Sequence, residues 1–267
     1  MLNDFVLITT TMRVYSIILL LFFGKLLVSQ PEKVEIITLY DDYQVNTQTR
    51  VDGGFACLII HRNDTILFDT GNREDILFHN LKVLGIDIKS IHSIILSHHH
   101  GDHTGNVIKI VKMNPGIRVF LPTSLKGEYE NRIKGSGGKP CVGSDCKRIV
   151  EDIYLSGEMG FQIKEQALVI DTKKGLVIIS GCGHPGIDRM ILQVRENFRK
   201  DVFLVMGGFH MQEATPDDAS EMIERFKFLG VKKVAPSHCT GKLAMKMFRE
   251  AYQSDFIRNG TGKIIEI

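Results

Sequence analysis

The chain reads as an α/β protein with chemistry at the ends of its strands. Three observations carry this. Strand-like and helix-like segments alternate in the second half, after a strand-rich first part. In the stretch Ile94-Ile95-Leu96-Ser97-His98-His99-His100-Gly101-Asp102-His103, an apolar run passes directly into four histidines and an aspartate. Three later apolar runs also end in a histidine: His184, His210 and His238.

The elements follow in order. Val34–Leu39 alternates and predicts a first strand, and Phe55–His61 and Thr65–Phe68 predict two more across the turn Arg62-Asn63-Asp64. Asp75–Leu84 places Ile76, Leu77, Leu81 and Leu84 at helical spacing, with Gly85 as a C-terminal cap. Ser93–Leu96 is a buried strand, Asn106–Met113 a helix and Ile117–Leu121 a strand. From Lys126 to Lys147 the chain turns polar and glycine-rich, which predicts a long excursion over the site, a candidate lid, with a disordered insert as the alternative. Gln166–Asp171 and Leu176–Ser180 pair as a hairpin around Thr172-Lys173-Lys174-Gly175. Ile187–Phe198 is an amphipathic helix, Val202–Met206 a buried strand, Ala219–Leu229 a helix and Lys233–Ala235 a short strand. Leu243–Tyr252 is helical, and Gly262–Ile267 closes the chain as a strand.

Composition narrows the function. The 267 residues suffice for a large core, and a net charge of +2 without a dense basic run predicts no nucleic-acid partner. Five cysteines cannot all pair. Cys141 and Cys146 are spaced to close a small loop, but two free thiols are the favoured reading. Residues 1–30 hold Met12-Arg13, the apolar run Val14–Phe23 and a short segment up to Gln30, which reads as a signal peptide or membrane anchor ahead of a domain over 31–267. The run is short for a spanning helix, so export or membrane attachment is the expectation and a cytoplasmic protein the alternative.

The histidine block points to a metal. His98 and His100 are two apart, so at an extended strand end their rings point the same way. Asp102 and His103 follow beyond Gly101, which lets the chain turn. Imidazole and carboxylate suit zinc, iron or manganese. A histidine run can also be a tag or a surface tract, but this one lies mid-chain behind a strand. His184, His210 and His238 each sit beside glycine or proline, a setting that packing alone explains poorly. His61, His79 and His92 have no such setting and read as ordinary.

The block His98-x-His100-x-Asp102-His103 resembles the signature of the metallo-β-lactamase-fold superfamily. Phe68-Asp69-Thr70-Gly71, the histidine loop, Gly181-Cys182-Gly183-His184-Pro185-Gly186, Gly207-Gly208-Phe209-His210 and Pro236-Ser237-His238-Cys239-Thr240-Gly241, in that order, resemble the branch related to the archaeal dihydropterin-ribofuranosyl-aminobenzene phosphate synthases. The resemblance runs from about Val34 to Ile267. It implies a four-layer αβ/βα sandwich of two mixed β-sheets flanked by helices, with a metal site along one edge. It also implies that His98, His100 and His184 hold one metal, and that Asp102, His103 and His238 hold a second. Asp69 would support the metal loop rather than bind. Read alone, Asp69-Thr70-Gly71 also matches aspartic proteases, but the second copy that reading needs is absent. Many relatives place Gly-Asp where this chain has Gly181-Cys182, so the bridging position falls to Cys182, to His210 or to solvent.

The expected function is a metal-dependent hydrolase with one or two Zn²⁺, iron or manganese being possible substitutes, acting on a small molecule such as a phosphate ester or pterin-related compound. Asp102 is a candidate proton acceptor, and His210 a candidate donor to a developing oxyanion. A di-iron redox protein and a non-catalytic metal-binding scaffold of the same fold are the alternatives.

Overall fold

The computed structural model describes residues 33–267, so the expectations for residues 1–30 lie outside the described part. Among the described residues no helix is long and apolar enough to cross a membrane.

The first half contributes strands β1 (Val34–Tyr40), β2 (Ala56–His61), β3 (Asp64–Phe68), β4 (Ser93–Ile95), β5 (Arg118–Leu121) and β6 (Lys139–Val142). Its helices are α1 (Glu74–Val83), α2 (Gly101–Thr104), α3 (Val107–Met113) and α4 (Glu128–Gly135). The second half contributes β7 (Lys147–Val150), β8 (Ile153–Met159), β9 (Glu165–Thr172), β10 (Gly175–Ser180), β11 (Val202–Gly208) and β12 (Lys233–Ser237). Its helices are α5 (Ile187–Phe198), α6 (Pro216–Phe228) and α7 (Lys242–Tyr252), and β13 (Ile264–Glu266) returns to the first sheet.

Two mixed sheets result, one in the order β13-β1-β2-β3-β4-β5-β6 and the other in the order β12-β11-β10-β9-β8-β7. Each begins with antiparallel pairs and continues with parallel ones: β3, β4, β5 and β6 in the first sheet, and β10, β11 and β12 in the second. Parallel strands end on one edge, and ligand sites in such sheets gather beyond their carboxyl ends.

Period-two alternation explains the layering. On β2, Cys57 and Ile59 face the other sheet, whereas Leu58 faces the helices of its own half. Three apolar layers follow. Leu77, Leu81, Val107 and Ile110 lie under the first sheet's helices, and Phe68, Ile95, Leu168 and Val177 lie between the sheets. Met190, Phe209, Phe226 and Phe248 lie under the second sheet's helices. Four layers of secondary structure enclose them, as the resemblance implied.

The stretch from Lys126 to Lys147 differs from its expectation. It is neither an unstructured lid nor a disordered insert: it holds α4, with Ile133 buried, and β6, and it leads into β7. Its strands are edge strands, which tolerate polar residues and so read as loop. Strand β8 was missed because Ser156, Gly157 and Glu158 break its apolar alternation. Helix α6 begins three residues before its expected start. Pro216 occupies its first turn behind a capping box between Thr215 and Asp218, so residues that look like breakers open the helix. Cys141 and Cys146 are free thiols.

The helix side of the second sheet gives a stability prediction. Phe226 is fully buried, with its ring 5.2 Å from that of Phe209 and 5.1 Å from that of Phe248. Phe226→Ala should cost about 3–5 kcal/mol of unfolding free energy, read from urea denaturation.

Candidate metal centre

The site grows from one strained turn. Asp69 follows β3 with φ +55°, a left-handed conformation uncommon for aspartate. This aims its fully buried carboxylate back under the loop that leaves β4. Oδ1 accepts from the Ser97 amide at 2.7 Å, and Oδ2 accepts from the Ser97 hydroxyl at 2.7 Å. Oδ2 also takes the His103 Nδ1 proton at 2.7 Å.

These bonds determine which nitrogens are bare. Ser97 Oγ has spent its proton on Asp69, so at 2.8 Å it accepts from His98 Nδ1. His98 Nε2 therefore presents a lone pair. In His103 the bond from Nδ1 to Asp69 turns Nε2 toward Asp102.

Two donor sets converge on neighbouring points. In the first, His98 Nε2 lies 3.1 Å from His100 Nδ1, and His184 Nε2 lies 3.2 Å from the same atom. In the second, Asp102 Oδ2 lies 3.5 Å from His103 Nε2 and 3.4 Å from His238 Nε2. Within each set the donor atoms all lie within 4.8 Å of one another. The His103 and His238 rings are 5.1 Å apart, and the His98 and His103 rings 4.2 Å apart, so the two sets adjoin.

The donors fit a cation. Zinc holds imidazole nitrogens at about 2.0–2.1 Å, so two ligands of one tetrahedral ion sit about 3.3 Å apart. The first set shows that spacing. Burial and the neighbouring imidazole of His210 push His184 down to about 3, and burial with the crowding of His103 holds His98 well below the usual histidine range. These rings stay neutral with lone pairs free. In the second set, His238 Nε2 is buried without a hydrogen-bond partner, although a carboxylate oxygen is close. An orphaned nitrogen facing a carboxylate is a place for a positive charge. Burial alone would lower His103 and His238, yet the carboxylates of Asp69 and Asp102 raise the former to about 9, and those of Asp102 and Asp42 the latter to about 11. Burial would raise Asp102, but the imidazoles of His103 and His238 beside it hold it well below the carboxylate range.

The second half supplies its own buried carboxylate, which sequence reading missed. Glu165, at the start of β9, is fully buried under the loop that follows β10. Oε1 accepts from the amides of Gly181, Cys182 and Gly183 at 2.9–3.0 Å, and Oε2 from the amide of His184 at 2.9 Å. Burial pushes its pKa up against the pull of these N–H groups. The two loops touch at Gly181, where any Cβ would overlap Ser97 Oγ and press on Asp69 Oδ2, so a side chain is excluded. Asp41 and Asp42 were also missed. Asp42 faces His238 Nδ1 at 3.3 Å, and burial pushes Asp41 up to about 7. An Asp-Asp pair just past a strand was the available signal.

The remaining expected residue, His210, has φ +53° and an exposed side chain. Its ring stacks at a tilt on His184, 4.3 Å away, and a hydrogen bond to Cys239 raises its pKa against the effect of burial. It stands at the mouth of a cavity of about 670 Å³ that is also lined by Arg189, Met211 and Arg225. A second cavity of about 440 Å³ shares His184, His210 and Arg189 with it and adds Phe161. Phe161 is 95% exposed on the hairpin between β8 and β9.

A four-layer sandwich with imidazoles and a carboxylate gathered at its parallel-strand edge defines a protein class, and the chain belongs to the metallo-β-lactamase superfamily. The family model described as the metallo-beta-lactamase superfamily matches residues 49–134. The chain is 32% identical to the 7,8-dihydropterin-6-methyl-4-(β-D-ribofuranosyl)-aminobenzene-5'-phosphate synthase of Methanocaldococcus jannaschii, over 90% of this chain and 98% of that one. Among solved structures it resembles Tm1679, a metal-dependent hydrolase of the β-lactamase superfamily, at 26% identity and TM-score 0.74, over 88% of this chain and 99% of that one. It shares the fold of YhfI from Bacillus subtilis at 13% identity and TM-score 0.63, over 88% and 99% of the two chains.

Two substitutions test how the carboxylates hold the donors. Asp69→Asn turns an N–H₂ toward groups that now donate, so zinc affinity should fall about 10–100-fold in competition with a chromophoric chelator. Glu165→Gln leaves a buried N–H unmet and should cost about 1–3 kcal/mol in urea denaturation.

Proposed function

We propose that the protein is a metal-dependent hydrolase in which His98, His100 and His184 hold one cation and Asp102, His103 and His238 a second. Zinc is the favoured metal. The observation that carries this reading is the convergence of two three-residue donor sets from separate strand ends, with donor atoms within 4.8 Å in each. Such a cation supplies Lewis acidity, which makes water nucleophilic near neutral pH and polarises a carbonyl or phosphoryl oxygen.

The chain's own residues supply the rest. Asp102, flanked by two imidazoles and held well below the carboxylate range, is a weak base, so its role is ligation. His210 is in neither donor set, and the raised pKa that its hydrogen bond to Cys239 gives it favours the protonated ring, which donates to an oxygen that gains negative charge. Arg189 lines both cavities beside His184 and His210, where a guanidinium would pair with a phosphate group. This supports a small phosphate ester as substrate. The Methanocaldococcus relative, whose name joins a dihydropterin to a ribofuranosyl phosphate, extends the same reading to pterin-related compounds.

The test is metal analysis of untagged protein, followed by assays on phosphomonoesters, phosphodiesters, lactones, thioesters and pterin phosphates. The expected result is zinc in the protein and cleavage of a phosphate ester that is lost with chelator and restored by zinc. His210→Ala should lower kcat about 10²–10³-fold with metal content unchanged, whereas His98→Ala should lose metal. Iron with a visible colour would turn the reading to redox chemistry, and protein that binds no metal would leave a scaffold.

A further inference from the structure

Between the two donor sets stands a group that neither includes. Cys182 is buried near the start of the loop that follows β10. Its Sγ lies 3.2 Å from His103 Nε2, on the side of the ring away from the bond between His103 Nδ1 and Asp69. It lies within 4.8 Å of the donor atoms of His98 and His103, and it also groups with His238 and Cys239 within that distance. Among the described His, Cys, Asp and Glu residues outside the two sets, Cys182 alone groups with donors of both. The main chain at this point is rigidly held, since Glu165 takes the Cys182 amide at 2.9 Å together with those on either side.

Cys239 is the second thiol. Its Sγ donates to the Cys182 carbonyl at 3.3 Å, and it groups with Cys182 and His238 but with no donor of the first set. The orphaned His238 Nε2, buried and without a hydrogen-bond partner, belongs to the same group and faces the same space.

We propose that Cys182 is a metal ligand, its thiolate bridging the His98 and His103–His238 sides of the centre, and that Cys239 positions it through the carbonyl without binding. The inference rests on the metal-centre reading and adds to it: the donor set is mixed nitrogen, oxygen and sulfur. Ligation breaks the S–H bond, releases the proton to solvent and leaves the sulfur pair to the cation, with no change of oxidation state. Soft thiolate then favours zinc over magnesium or manganese, which prefer oxygen.

Cobalt(II) substitution tests this without reference to turnover. Apoprotein is titrated with cobalt alone, and absorption is recorded in the visible, where ligand-field bands report bound cobalt, and in the near ultraviolet, where thiolate-to-cobalt charge transfer reports sulfur. Wild-type protein should show both signals. Cys182→Ser should keep the visible bands and lose the near-ultraviolet one, with zinc affinity at the second site reduced more than about 10-fold. Cys239→Ser should keep both. Visible bands without charge transfer in the wild type would overturn the thiolate assignment and leave the metal centre standing. Charge transfer that survives Cys182→Ser and vanishes in Cys239→Ser would also overturn it. Absence of any cobalt signal would overturn the metal-centre reading itself, and this proposal with it. The wild-type spectrum decides without a variant, so a misfolded substitution does not shield the claim.

Discussion

The buried carboxylate of Asp69 is the constraint on which the site depends. It has no water to solvate it, and burying a charge unmet is costly. Its two oxygens are met instead by the Ser97 amide, the Ser97 hydroxyl and the His103 ring. Each such bond to a charged group contributes about 1.5–3 kcal/mol. The consequence is chemical as well as structural, because the same bonds orient the His98 and His103 rings and turn their Nε2 atoms toward the donor sets.

Glu165 plays the corresponding part in the second sheet. One carboxylate holds the loop after β4 and the other the loop after β10, each from beneath and each fully buried. The two loops meet where Gly181 passes against Ser97 and Asp69. The halves are thus built alike, antiparallel strands first and parallel strands after, and the donors lie along the seam between them. Only His98, His100, Asp102 and His103 are neighbours in sequence. His184 and His238 reach the seam because β10, β11 and β12 run parallel and end on the same edge.

Around this centre the chain is more open. Both cavities beside His184 open to solvent, and their walls carry Arg189, His210 and the exposed ring of Phe161. An arginine and an aromatic ring beside the gathered donor sets offer one contact for an anionic group and one for a flat apolar surface. The segment read as a lid does not form this rim as an unstructured flap. Its helix and edge strands belong to the sandwich.

The sequence by itself determined the local features. Period-two and helical patterns marked most strands and helices, because a buried face writes its spacing into the chain. The donors were legible for a similar reason: histidines beside glycine at strand ends have little other use, and Asp69-Thr70-Gly71 marked its turn. Tertiary structure alone decided what depends on distant groups meeting. Glu165 reads as an ordinary polar residue opening a strand, and only the fold puts four loop amides on it. Cys182 and Cys239 are 57 apart in the chain, and their contact arises at the ends of β10 and β12, the two strands that flank β11. The polar stretch through α4, β6 and β7 was unreadable because edge strands carry no two-sided apolar pattern. Periodicity records which face of an element is buried, whereas the choice of donor nitrogen and the identity of the group beneath it follow from packing between segments that the linear pattern does not relate.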